Sequence, residues 1–190
     1  MTEILWHGRG GQGAFTAAKL LGAAFSLGLQ NHYALAFPSF GPERRGAPIL
    51  AFTKLDQKTI GDRSQIKKAD YTIFLDDTLF TVQAFSEIKD KGKILLNTKK
   101  TASELSPVGF NTQQLKQIVL FDADKLALEI LKMPVTNTVM LALLAAYSGV
   151  ISEENLKEAI RLYMAPKLYE KNALVVEEVF KTIKQGGQNE

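Results

Sequence analysis

The sequence predicts an α/β layered domain whose sheet is mixed but mostly parallel, with a helical C-terminal third. Three observations carry that expectation. Short apolar runs alternate with helical patterns over the first two-thirds of the chain, glycines sit between the first run and the first helix, and the last third keeps only a helical period. The 190 residues have room for one substantial core, and no composition break or repeat marks an interior boundary. A single domain is expected over residues 1–184, with a flexible tail at 185–190 where Gln, Gly and Asn accumulate.

The elements follow in order. Residues 4–6 are a short buried-strand run that ends in glycines. After Gly13, the residues Ala14, Ala17, Ala18, Leu21, Ala24 and Phe25 recur at helical spacing, and their small side chains suit close packing on a sheet. Gly28 is placed to stop that helix. Strands are expected at 33–37 and 49–54, with Asp56-Gln57-Lys58 turning the chain back into a hairpin strand at 59–60, which would make the sheet mixed. Further strands are expected at 71–75, 93–96 and 118–121, and helices at 79–89 and 123–131. The last third reads as helices at 138–147, 153–163 and 167–184, with Ser152 as an N-cap ahead of Glu153 and Glu154.

Composition removes several classes of function. There is no cysteine, hence no disulfide, no thiolate nucleophile and no thiolate ligand for zinc or an iron–sulfur cluster. The formal charge of +3 arises from cations spread along the chain, without the basic stripe of a nucleic-acid binder. Residues 133–152 carry no charge but hold Pro134, Asn137, Ser148 and Gly149, so a buried core helix is expected there and no membrane span. Met1-Thr2-Glu3 lacks the basic start of a signal peptide, and a cytoplasmic protein is expected.

Two motifs carry the chemistry. Gly8, Gly10 and Gly13 match G-x-G-x-x-G between a strand and a helix, the setting in which glycines admit a ligand to the backbone and a helix start attracts an anion. Arg9 could add charge. The dinucleotide version of this Rossmann-like motif also needs an acid about 20 residues on for the ribose hydroxyls, and none occurs between Glu3 and Glu43. A stand-alone NAD(P)-binding oxidoreductase is therefore the alternative reading, weakened by that gap. The second motif is Pro38-Ser39-Phe40-Gly41-Pro42-Glu43-Arg44-Arg45-Gly46-Ala47-Pro48. Three of the chain's six prolines fall in it, which argues for an ordered loop, and its adjacent arginines suit bidentate recognition of phosphate or carboxylate. Glu43 could orient one of them. No catalytic or metal constellation is visible: His7 reads as a hydrogen-bonding residue, Asp76-Asp77 as a helix-initiating or surface pair, and Asn137-Thr138 as a cap or a contact.

The glycine motif followed by the arginine motif closely resembles the gamma subunit of 2-oxoacid:ferredoxin oxidoreductases, of which pyruvate:ferredoxin oxidoreductase is the best-known member. The resemblance continues through Asn137-Thr138, where the family also has an Asn-Thr pair; it departs at Leu141-Ala142-Leu143, where a glycine is expected after the first Leu. It implies a gamma-type catalytic domain without independent activity. Companion alpha, beta and ferredoxin-like delta subunits would supply thiamine diphosphate and the iron–sulfur clusters. The complex would oxidise a 2-oxoacid to CO2 and an acyl-coenzyme A and pass electrons to ferredoxin. Pyruvate or a branched-chain acid is favoured by the form of the two motifs, with 2-oxoglutarate possible. The residues implied at the shared site are Gly8, Arg9, Gly10, Gly11, Gln12, Gly13, Ser39, Glu43, Arg44, Arg45, Asn137 and Thr138, and no cofactor is implied on this chain alone.

Overall fold

The computed structural model describes residues 1–28, 30–39, 45–105 and 109–186. Its centre is a six-stranded sheet of β1 (Thr2–Arg9), β2 (Tyr33–Pro38), β3 (Pro48–Asp56), β4 (Ala69–Phe74), β5 (Ile88–Asn97) and β6 (Ile118–Phe121). The spatial order is β2-β3-β1-β4-β5-β6. The pairs β1–β4, β4–β5 and β5–β6 are parallel, while β3 runs antiparallel to both β1 and β2. The expected mixed, mostly parallel sheet is present, but its antiparallel part comes from β3, which pairs antiparallel with both β1 and β2.

The expected strand at 59–60 does not form. Asp56 accepts from the backbone N–H groups of Gln57 (2.7 Å) and Lys58 (3.2 Å), which ends β3 in a tight turn. Both edges of β3 are already paired, so the following segment must leave the sheet. It crosses the sheet face instead, where Ile66 packs with the strand residues Leu5, Phe52 and Ala69.

The helices are α1 (Ala14–Gly28), the short α2 (Ala102–Leu105) and α3 (Thr112–Leu115), α4 (Ala123–Ile130), α5 (Asn137–Ser148), α6 (Glu153–Tyr163) and α7 (Pro166–Gly186). α1, α4, α5, α6 and α7 share one core with the sheet residues Ile4, Trp6, Ala51, Leu55, Ile73 and Leu95. Small buried residues on α1 let it lie close to the strands: Thr53 Oγ1 donates to Ala18 O (3.2 Å) and accepts from Trp6 Nε1 (3.1 Å). α5 is buried from Asn137 through Ala145, which explains the long uncharged stretch as core. None of the described helices is long and apolar enough to cross a membrane.

The opposite face has a thinner cover. The helix expected at 79–89 is replaced by two 3-10 turns, Asp77–Leu79 and Val82–Glu87, and Ile88 already belongs to β5. Phe80 and Thr81 are extended between the turns, and Phe80 and Phe85 pack with Phe74 and Phe110 over β4 and β5. Laying those rings on the sheet wins over the helical period. Elsewhere expectation and structure agree closely, including Ser152 as N-cap of α6, its hydroxyl accepting from Asn155 N at 3.1 Å. α7 runs to Gly186, two residues into the segment expected as tail; residues 187–190 lie outside the described residues.

Candidate functional site

The glycine loop leaves the C-terminal end of β1 at Arg9 and enters α1 at Ala14. This is the crevice where connections diverge: the chain after β1 goes to the β2–β3 side, and the chain after β4 goes to β5. Within the loop, Gln12 N donates to Arg9 O (2.9 Å) and Gln12 Oε1 accepts from Arg9 N (2.7 Å), closing a turn. Gly11 and Gly13 have φ of +96° and +80°, conformations that side chains disfavour. Gly13 has no side chain to cap α1 and no acid stands in the helix's first turn, so the leading N–H groups lack acceptors from their own helix.

The arginine loop is zipped to it. Gly10 N donates to Ala47 O (2.9 Å), Gly46 N donates to Gly10 O (3.0 Å), and Gly10 and Arg45 form a parallel bridge. Arg45 is exposed, and its Cγ lies 4.0 Å from where a Cβ on Gly11 would be. Two motifs 35 residues apart thus meet backbone to backbone. Glu43 and Arg44 lie outside the described residues. Ser39 extends the β2–β3 ladder, its N–H donating to Leu50 O (2.8 Å) and its hydroxyl accepting from Leu50 N (3.3 Å), which is a structural use of that side chain.

Arg9 is placed differently from the free cation that the sequence suggested. Its Nε donates to Asp76 Oδ2 (2.9 Å), Nη1 to Gly46 O (3.1 Å) and Nη2 to Thr78 Oγ1 (2.8 Å). All three nitrogens bond within the protein. Asp76 begins a 3-10 turn as expected, but it also reaches across to the glycine loop, which no local sequence signal indicated. Burial alone would push its carboxyl up; hydrogen bonds from Thr78, Arg9 and Gln12 outweigh that and hold it below the ordinary range. An open cleft of about 480 Å³ follows beyond it, lined by Gln12, Asp76, Asp77, Asn97, Thr98 and Lys100 among others.

Asn137 and Thr138 reach the same place from the far end of the sequence. Neither is a cap: Thr136 occupies the cap position, without a side-chain bond, and both residues are buried in the first turn of α5. Asn137 Nδ2 donates to Gly13 O at 3.4 Å, while Asn137 Oδ1 and Thr138 Oγ1 have no hydrogen-bond partner among the described residues. The structure therefore brings together the glycine loop, Arg45 and Asn137. His7 lies on the other side of the sheet, its ring stacked on Phe74 (4.2 Å) and Nε2 2.8 Å from Glu87. Among the described residues no group of three His, Asp or Glu could hold a metal ion.

The family model for pyruvate ferredoxin/flavodoxin oxidoreductase matches residues 3–182. The chain belongs to that family. It is 44% identical over 186 residues to a Thermococcus kodakarensis protein named pyruvate/ketoisovalerate oxidoreductases common subunit gamma, covering 95% of this chain and 96% of the relative. Among solved structures it is similar to the pyruvate oxidoreductase subunit PORC of Thermotoga maritima, with TM-score 0.77, 29% identity and 95% of each chain covered. A fold likeness extends to a 2-oxoglutarate:ferredoxin oxidoreductase of Magnetococcus marinus (TM-score 0.67, 18% identity), where it covers 97% of this chain and 30% of the larger one. In this chain the glycine loop sits in the crevice where dinucleotide-binding folds hold their ligand, yet among the described residues the acid that reaches it, Asp76, has both oxygens engaged by Arg9, Gln12 and Thr78.

Proposed function

We propose that the chain is the gamma subunit of a 2-oxoacid:ferredoxin oxidoreductase acting on pyruvate or a branched-chain 2-oxoacid. Alone it has no 2-oxoacid oxidising activity. Supporting this are the family match over nearly the whole chain and the relative whose name pairs pyruvate with ketoisovalerate. With no cysteine, the chain has no thiolate to hold an iron–sulfur cluster, so electrons travel through companion chains. Those companions are alpha, beta and ferredoxin-like delta subunits, and ferredoxin is the acceptor. Thiamine diphosphate, held by the companions, supplies the decarboxylation chemistry.

The observation that carries the role of this chain is the junction of the glycine loop with Arg45. The uncapped start of α1 and an exposed guanidinium together favour a phosphate-bearing ligand, and coenzyme A is the one the reaction uses. The loop and Arg45 bind the diphosphate and hold the carrier for acyl transfer, with Asn137 holding Gly13 in place. Glu43, Arg44 and Thr138 complete this proposed site. Residues 1–184 act as one gamma-type domain.

The test is reconstitution. Co-purified with its companion chains, the protein should support coenzyme A-dependent reduction of ferredoxin by pyruvate or 2-oxoisovalerate, and the isolated chain should not. Activity of the isolated chain, or tight NADH or NADPH binding by it, would overturn the reading.

A further inference from the structure

Asp76 stands at the end of β4, beside the strand that ends in the glycine loop. Its Oδ2 accepts from Arg9 Nε (2.9 Å) and Gln12 Nε2 (3.2 Å). Its Oδ1 accepts from the Thr78 backbone N–H (3.0 Å) and hydroxyl (2.5 Å). The two side chains it holds are the ones that build the loop. Gln12 Oε1 closes the turn on Arg9 N, and Arg9 Nη1 carries the connection on to Gly46 O in the arginine loop. With four donors already in place, the carboxylate has little capacity left for a ligand.

We infer that Asp76 is the positioning residue of this site: through Arg9 and Gln12 it fixes the glycine loop against the arginine loop, without touching ligand itself. The inference rests on the reading of that loop as an anion cradle. The charges are consistent with it. Asp76 cancels Arg9, leaving Arg45 as the exposed cation at the loop among the described residues. Removing Arg9 alone would bare a carboxylate beside an anion site. Removing both would restore neutrality and leave only the looser loop.

The experiment uses the assembled complex. Steady-state KM for coenzyme A and inhibition by inorganic pyrophosphate are measured for Asp76→Asn, Arg9→Gln, the double variant and Arg45→Gln, with a melting curve for each. Asp76→Asn should raise KM about tenfold, the effect falling on KM rather than kcat, as expected for losing charge-assisted hydrogen bonds that order a binding loop. In the Arg9→Gln background the same substitution should lower KM, because there it removes a bare negative charge. An equal rise in both backgrounds would mean that the carboxylate meets the ligand directly and overturns the inference. So would an unmoved KM beside a lowered Tm, which marks a merely structural acid, or a KM that falls in the wild-type background, which means that Asp76 withholds Arg9. Arg45→Gln separates the two levels. If it changes neither KM nor pyrophosphate inhibition, the cradle reading fails and takes this role with it; if it raises KM while Asp76→Asn does not, only the role of Asp76 fails.

Discussion

Replacing Gly13 with alanine asks two things of the structure at once. The backbone must keep φ near +80° with a side chain present, and the new methyl would sit 2.5 Å from Asn137 Nδ2 and 3.1 Å from its Cγ. A left-handed conformation costs a residue with a Cβ about 1–2 kcal/mol. Asn137 cannot retreat as a whole, because α5 is buried on every side through Ala145. Its amide must rotate away, losing the bond to Gly13 O and disturbing a buried polar group, for about 1–2 kcal/mol more. The expected total is about 2–4 kcal/mol by urea denaturation, with a Tm drop of roughly 2–4 °C per kcal/mol for a chain of this size. In an Asn137→Ala background the steric part disappears, so Gly13→Ala should cost only the backbone part, about 1–2 kcal/mol. Equal cost in both backgrounds, or a loss well under about 1 kcal/mol in the wild type, would refute the reasoning.

Other consequences are equally measurable. Lys54 is 1% exposed, with its ammonium on Asp62 Oδ2 (2.6 Å) and Asp62 O (3.3 Å), while Asp62 is 54% exposed. Lys54→Met, which keeps the stem and returns Asp62 to water, should change stability by less than about 1 kcal/mol; Asp62→Ala strands a buried ammonium and should destabilise clearly more in the same denaturation assay. Asn97 ties three elements, donating to Leu75 O (3.0 Å) and Asp124 Oδ2 (3.1 Å) and accepting from Ala123 N (2.9 Å), so Asn97→Ala should cost about 2–4 kcal/mol. Because hydrogen bonding outweighs burial and lowers the Asp76 pKa, its stabilisation is present above the unfolded carboxyl value and is lost as pH falls through the folded one. Asp76→Asn should therefore flatten the acid limb of the stability–pH curve below about pH 4.

The boundaries legible in the sequence are those set by local rules. Residues 118–121 and 153–163 match β6 and α6 to the residue, the first because it is a short apolar run, the second because a cap and an apolar stripe frame it. Where a distant partner decides, the sequence reading fails. Residues 79–89 carry a helical period, but Phe80 and Phe85 answer to Phe74 and Phe110 on the sheet. The site divides the same way. Its glycines and Arg45 are visible as motifs, whereas Asp76 acts on Arg9 from 67 residues away. Asn137 meets Gly13 across 124 residues, so of the cap and the contact that the sequence leaves open for it, the structure excludes the cap. Arg9 reads in the sequence as an added charge, and its partners Asp76 and Thr78 lie 67 and 69 residues away.

The strand order explains why a dinucleotide-like loop lacks its acid. In a dinucleotide-binding sheet the second strand lies parallel beside the first, and the acid at its C-terminal end reaches the ribose. Here β2 is displaced to the edge, two strand spacings or about 10 Å from β1. The place beside β1 belongs to β3, which runs the other way, with Arg9 paired to Pro48. An antiparallel neighbour presents its beginning where a parallel one presents its end. What arrives next to the glycine loop is therefore the segment entering β3, and that segment carries Arg45. Where a dinucleotide-binding sheet has an acceptor for ribose hydroxyls, the inserted strand brings an exposed guanidinium. Selection at this site should follow the phosphate charge: inorganic pyrophosphate should compete with coenzyme A in the assembled complex, whereas adenosine, which keeps the ribose diol and has no phosphate, should not. Competition by adenosine at concentrations where pyrophosphate has no effect would contradict this argument from topology.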